Sequence, residues 1–252
     1  MFRPRIIPVL LLQRGILVKS IKFGEKKYIG DPINAVRIFN DLNVDEIVLL
    51  DIDASKEGRS ISIDLIKEIG EEANMPFSVG GGIRDLETIK NVTQAGAERV
   101  IINSFALSNP EFIKEASENF GSSTISVCID YKKNFWGKHQ VYTPNSKNNV
   151  SKDPVEAALI LQNHGAGEII VQSVDKDGMM TGYDLESIKK FAASLAIPVV
   201  ALGGAGTTKD LEDGFKMGYA NGLAAGSMFV YKGSLRGVLI QYPSISLYNF
   251  NR

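Results

Sequence analysis

Two stretches of this 252-residue chain carry glycines in a pattern suited to holding an anion. "FSVGGGIRDLETI" runs a β-rich segment into Gly80, Gly81 and Gly82 and then into a helical pattern, and "VVALGGAGTTKDL" repeats this with Gly203, Gly204 and Gly206. Glycines between a parallel strand and a helix let backbone N–H groups converge on an anion at the positive helix N-terminus. Each stretch is followed by a strand ending in a small hydroxyl residue, "INS" with Asn103 and Ser104 and "AAGS" with Gly226 and Ser227. Tight turns also demand glycine, but two clusters, each with its own Ser-ended strand, favour phosphate. Two such sites across one mouth imply an elongated ligand phosphorylated at both ends.

A second contrast concerns proton transfer. "TISVCIDYKK" closes its apolar run with a carboxylate, Asp130, whereas the comparable "RIIPVLLLQRG" closes with Leu10, Leu11 and Leu12. General acid–base chemistry needs groups that give and take protons on either side of the reacting atoms, and leucine does neither. Cys128, between Val127 and Ile129, reads as a packed thiol inside a strand. As the sole cysteine it excludes an intrachain disulfide, and with only His139 and His164 beside it a zinc site is not expected. Neither a metal nor a cofactor is expected.

The elements that position these residues follow from alternation. "RIIPVL", "EIVLLDI", "FSVGGGI", "RVIINS", "TISVCID", "EIIVQSV", "PVVALGG" and "GLAAGS" are strand candidates, with amphipathic segments between most of them. In "DPINAVRIFNDLN" Asp31 can cap a helix and Pro32 suits its first position. Eight parallel, fully buried strands with covering helices in about 250 residues predict one α/β domain over residues 1–252, a (β/α)8 TIM barrel; a doubly wound open sheet is the alternative that counting leaves open, and an internal repeat favours the barrel. A repeat divides it into half-barrels of about 1–123 and 124–252. Adding 122 carries Asp31-Pro32 to Asp153-Pro154, Glu46-Ile47 to Glu168-Ile169, Asp53 to Asp175, Pro76 to Pro198, Gly81-Gly82 to Gly203-Gly204 and Gly96 to Gly218.

Balanced charge, 28 basic against 29 acidic residues, with no basic cluster, excludes a general handle for nucleic acid or an anionic membrane. The apolar runs are too short and too broken by Gly and Pro to span a bilayer, and "MFRPR" does not resemble a signal peptide, so a cytoplasmic location is expected.

The motifs "RIIPVL", "GDP", "DEIVLLDIDAS", "PFSVGGGIRD", "VIINSFAL", "GAGEIIVQSVDKDG", "TGYDLE" and "GGAG" occur in the order found in HisF, the cyclase subunit of imidazole glycerol phosphate synthase, which the chain resembles over about residues 3 to 230. The sister isomerase HisA is a looser match, and "TGYDLE" with "GGAG" favours HisF. The resemblance implies a barrel that receives ammonia from a separate glutaminase, HisH, and joins it to a bisphosphorylated substrate, giving imidazole glycerol phosphate and an aminoimidazole carboxamide ribotide. It also implies two catalytic aspartates. One is Asp130; Leu11 occupies the place of the other, and Leu12 and Gln13 offer no displaced carboxylate. Leu202, Gln172 and "VYTPNSKNN", with Pro144, are further departures at the same mouth. Features kept for phosphate and substrate are Lys19 on the long first loop, Asp51, Gly81, Gly82, Asn103, Ser104, Asp177, Gly178, Gly203, Gly204, Gly226 and Ser227, with helix or loop capping an open alternative for Asp51 and Asp177.

At the opposite end, Arg5, Glu46, Arg99 and Glu168 precede strands one, two, four and six, so a barrel gathers them around its axis. The resemblance implies an ammonia gate there; a structural ion-pair plug is the alternative. Glu98 is a candidate contact for the glutaminase, which this chain does not itself contain. Three functions follow as expectations. The first is a HisF-like paralogue passing ammonia to a sugar amidotransferase of surface-polysaccharide synthesis, favoured by Leu11 and by "LRGVLIQYPS" in place of an amphipathic last helix. The second is an authentic histidine-pathway cyclase. The third is a phosphate-ligand scaffold without turnover.

Overall fold

A computed structural model describes residues 3–143, 151–233, 235–243 and 250. Eight parallel strands form the barrel: β1 (Arg5–Gln13), β4 (Ile47–Asp51), β5 (Phe77–Gly80), β6 (Arg99–Ile102), β7 (Ile125–Lys133), β9 (Glu168–Ser173), β10 (Val199–Leu202) and β11 (Gly222–Ala225). They pair in that circular order, and β11 closes onto β1 with Arg5 opposite Gly222 and Ile7 opposite Ala224. The remaining strands are short: β2 (Ile16–Lys19) and β3 (Lys27–Gly30) extend β1, β8 (His139–Val141) extends β7, and β12 (Tyr231–Lys232) pairs with β13 (Gly237–Val238). The helices are α1 (Pro32–Asp41), α2 (Ile63–Glu72), α3 (Leu86–Gln94), α4 (Ser104–Ser108), α5 (Pro110–Phe120), α6 (Pro154–Asn163), α7 (Leu185–Ser194), α8 (Thr208–Lys216) and α9 (Ser227–Val230).

The barrel strands are buried on both faces, and this splits the apolar residues into two bodies. The larger lies between sheet and helices and includes Ile6, Phe39, Ile47, Phe191 and Phe229. The smaller fills the barrel axis with Ile7, Val9, Val48, Ile101, Cys128, Ile170, Val200, Leu202 and Ala224, against which Leu11 and Leu50 pack. Alternate residues of a strand point to opposite sides, so one strand feeds both bodies.

The helices start where short polar residues meet unpaired N–H groups. Asp31 accepts from the Asn34 N–H and Asp153 from those of Val155 and Glu156; Ser62 and Asp184 cap α2 and α7; Asp85 caps α3, and Thr207 caps α8 in a reciprocal capping box with Asp210. Each member of these pairs lies 122 residues from its mate. The glycine contacts recur as well: a Cβ on Gly81 would stand 2.7 Å from the Asp51 carbonyl oxygen, and one on Gly203 would stand 2.7 Å from that of Ser173.

One sequence expectation changes. Lys19 belongs to the antiparallel β1–β2–β3 extension rather than to a long first loop. His139 lies in strand β8. Pro144 to Asn149 of "VYTPNSKNN" lie outside the described residues. The segment after α9 is extended, through β13, with no helix among its described residues.

Candidate functional site

At the C-terminal end of the barrel Leu11 pairs with Leu50, and Asp130 pairs with Gln172. The Leu12 carbonyl accepts from the Ile52 N–H at 3.1 Å, and the Tyr131 carbonyl accepts from the Val174 N–H at 2.9 Å. Leu11 and Asp130 thus occupy matching places in their halves, as the motif comparison expects. Leu202, opposite Gln172 on β10, adds to an apolar sector made by Leu11 and Leu50. The facing sector is polar: the Asn103 side-chain amide donates to Asp130 Oδ2 at 3.0 Å, and Gln172 is buried. Asn103 Oδ1 is the one buried side-chain polar atom among the described residues without a partner.

Burial pushes the Asp130 carboxyl up to about 6, with the Asp177 charge adding to the rise and hydrogen bonds from Asn103 and Cys128 opposing it. Such a group can give or take a proton near neutrality. Burial, and then the Asp130 charge, push the Cys128 thiol well above its usual range, so it is a poor nucleophile.

The second glycine set builds a cavity lined by Leu11, Lys19, Gln172, Asp177, Gly178, Leu202, Gly203, Gly204, Gly226 and Ser227. Lys19 Nζ donates to the Val9 carbonyl. Burial drives the Lys19 ammonium down to about 8 despite the attraction of Asp177. A Cβ on Gly226 would sit 2.4 Å from Lys19 Nζ, so glycine is needed there for the lysine to reach this place. A lysine, a helix-start serine and glycine backbone are a donor set suited to phosphate. In the first set, Gly82 has φ +68° and a Cβ there would strike the Arg59 carbonyl oxygen at 1.9 Å, while Ser104 is exposed at the start of α4.

Asp51 is committed to its own loop. It accepts from the Asp53 and Ala54 N–H groups at 3.2 and 3.1 Å, and Arg59, which sequence patterns did not single out, donates to it at 2.6 Å. Asp177 is buried enough to be raised from its usual value, against the pull of Lys19 and bonds from the Phe23 N–H, Ser20 and Gln172. Another cluster that the sequence reading missed joins His139, Asp184 and Ser187: His139 Nε2 is 3.2 Å from Asp184, and Nδ1 is 3.0 Å from Ser187 Oγ. It pins β8 to the start of α7.

At the N-terminal end Arg5 lies between Glu46, at 2.5 Å, and Glu168. Burial works against its charge, but Glu168 and Glu46 outweigh this and hold the guanidinium above its usual value. Ser78 donates to Glu46 at 2.8 Å, Ser126 donates to Glu168 at 3.2 Å, and Arg99 stands 3.5 Å from Glu46 and 3.4 Å from the exposed Glu98. Above this ring lies a narrow cavity with room for a single water-sized molecule, lined by Glu46, Ser78 and Glu168 and otherwise by the apolar side chains of Ile7, Val9, Val48, Leu50, Ile101, Cys128, Ile170, Val200, Leu202 and Ala224. Val9 and Leu202 line both this cavity and the glycine-lined one.

A closed eight-stranded barrel with a charged ring at one end and a glycine-lined, lysine-bearing mouth at the other defines the class: a (β/α)8-barrel protein with its polar site at the C-terminal face. Comparisons with known proteins go further. The family described as "Histidine biosynthesis protein" matches residues 5–236. A Pseudomonas aeruginosa protein provisionally named imidazole glycerol phosphate synthase subunit hisF2 is 44% identical over 246 residues, covering 98% of each chain. A Leptospira interrogans protein, provisionally named subunit HisF of the same enzyme, is 43% identical over 97% of this chain and 96% of its own. Imidazole glycerol phosphate synthase subunit HisF of Alkaliphilus metalliredigens is 40% identical over 92% of each. The chain belongs to the HisF family of imidazole glycerol phosphate synthase cyclase subunits. Among the described residues no helix is long and apolar enough to cross a membrane.

Proposed function

We propose that this chain is the ammonia-using barrel subunit of a glutamine-dependent pair of the imidazole glycerol phosphate synthase class. A HisH-like glutaminase docks at the N-terminal face, near Glu98, and a phosphorylated ligand is held at the C-terminal mouth. The carrying observation is that two built ends share one axis: the Arg5–Glu46–Glu168 ring, with Arg99 beside it, at one end and the Lys19–glycine cradle at the other, joined by a narrow cavity that starts at Glu46, Ser78 and Glu168 and is otherwise apolar. An uncharged molecule the size of ammonia suits such a cavity, whereas an ion would lose its hydration there. The cradle residues Gly203, Gly204, Gly226, Ser227 and Lys19 supply donors for one phosphate. Gly81, Gly82, Asn103 and Ser104 are the proposed donors for the other, by analogy with the repeat.

For the acceptor, the relatives' names, subunit HisF or hisF2 of imidazole glycerol phosphate synthase, support the cyclase reaction that the motif resemblance implies. A second reading, in which ammonia is passed on to a sugar amidotransferase, is favoured by Leu11, which leaves the strand-one sector without a carboxylate of its own. Purified barrel assayed with ammonium salt and the bisphosphorylated HisF substrate separates them. Turnover at a rate ordinary for such cyclases supports the first. Tight substrate binding without turnover supports the second, and an absence of both binding and turnover counts against the class as a whole.

A further inference from the structure

Asp177 follows β9 in sequence, yet its carboxylate belongs to the sector of β1. Its side chain accepts from the Phe23 N–H at 3.4 Å and from Ser20, and it faces Lys19 at the end of β2. Its carbonyl accepts from the Lys22 N–H at 3.0 Å, and the next residue, Gly178, is packed so closely that a Cβ there would lie 2.4 Å from the Ser20 carbonyl oxygen. This fold-back places Asp177 on the wall of the same cavity as Leu11. Across that cavity Gln172 donates to Asp177 while pairing in register with Asp130. Leu11 therefore removes a carboxylate from strand one without emptying the sector of carboxylates.

We propose that Asp177 is the second proton-transfer group of the mouth, working opposite Asp130 across Gln172 in the sector where Leu11 offers none; this rests on reading the mouth as a site of ammonia addition. The groups facing Asp177 are Lys19 and Ser20 from the first extension, the Phe23 N–H, Gln172 from β9 and Asp130 from β7. Those facing Asp130 are Asn103, Cys128 and Asp177. Both carboxyls are raised by burial, and the Asp177 charge raises Asp130 further. With Asp177 the ionised neighbour whose charge raises Asp130, the pair offers one acid, Asp130, and one base, Asp177. In the addition, the ammonia lone pair forms the new C–N bond and the π electrons of the unsaturated carbon move to its heteroatom. That heteroatom takes the proton of Asp130, and Asp177 takes one from the nitrogen. One carboxyl is ionised and the other protonated before and after, so no oxidant, reductant or further co-reactant enters.

A purely structural Asp177 would clamp residues 20–23 and nothing more, and Asp177→Asn keeps an oxygen to accept those bonds. The test is turnover with ammonium salt and the bisphosphorylated substrate, with calorimetry of substrate binding. Asp177→Asn is expected to lower kcat by about a hundredfold or more and to remove one limb of the pH–rate profile, while substrate affinity stays within about threefold; Asp177→Glu should restore part of kcat. A pH profile that Asp177→Asn leaves unchanged, or a loss confined to affinity, overturns the proposal. If the wild-type protein binds substrate but does not turn it over, the cyclase reading fails on its own, and carboxyl-carbon NMR titration decides the pair. Asp177→Asn should then shift the Asp130 titration to lower pH, and an unmoved titration overturns the coupling.

Discussion

Leu11 and Asp130 stand at matching ends of β1 and β7, so the contrast between leucine and carboxylate lies in one position rather than in the register around it. Asp130 keeps the burial and the Asn103 bond that make a carboxyl useful near neutrality. Its folded-state pKa of about 6 lies above its unfolded value. Its contribution to stability is therefore present in full below about pH 4 and is lost as pH rises through 6. Asp130→Asn should thus gain stability relative to the wild type between pH 4.5 and 8, on the order of 2 kcal/mol, in urea unfolding at the two pH values. Gly226→Ala should leave the fold intact but displace Lys19, lowering affinity for a phosphorylated ligand by about tenfold in calorimetry. The Asp130–Leu11 contrast and the cradle glycines were legible in the sequence because both follow from strand-end motifs. The Gln172–Asp177 bond was not, because it depends on how the segment after β9 folds back onto residues 20–23.

Elements were legible wherever a period or a cap announced them. The eight barrel strands match the apolar runs, and α1 begins at the expected Asp31 cap with Asp153 its mate at α6; the caps of α2, α3, α7 and α8 recur at the same offset but were not singled out. Thr207→Ala removes half of the capping box at α8 and should cost about 1 kcal/mol in thermal or urea unfolding, with no change in ligand affinity. The extensions β2, β3 and β8 were not foreseen as strands, since short antiparallel segments paired on one side carry little periodicity. Their consequence is positional: β2 delivers Lys19 to Gly226, and β8 carries His139 to Asp184 and Ser187. Arg59 escaped notice for the same reason. It acts through a loop that turns back on Asp51, and nothing in its local sequence marks that return.

Across the whole molecule, the two ends of the axis do different work. The ring at the N-terminal end buries Glu46 and Glu168 against one arginine, and removing that arginine leaves two carboxylates with serine hydroxyls and the more distant Arg99. Arg5→Ala should destabilise the barrel by about 2–4 kcal/mol in urea unfolding. The same change should raise the leak of glutamine-derived ammonia to solvent if the ring controls passage. The charged positions were legible at their strand starts; the pairing of one arginine with both glutamates required the closed circle of strands.

The central claim, that this barrel takes ammonia from a separate glutaminase for use at its mouth, is tested most directly by glutamine hydrolysis. A HisH-like glutaminase would be assayed alone, with equimolar barrel, and with barrel plus the bisphosphorylated ligand. The account predicts a one-to-one complex and a rise in hydrolysis of about tenfold or more when barrel and ligand are both present. A glutaminase whose size and rate are unchanged by the barrel, with or without ligand, would contradict it.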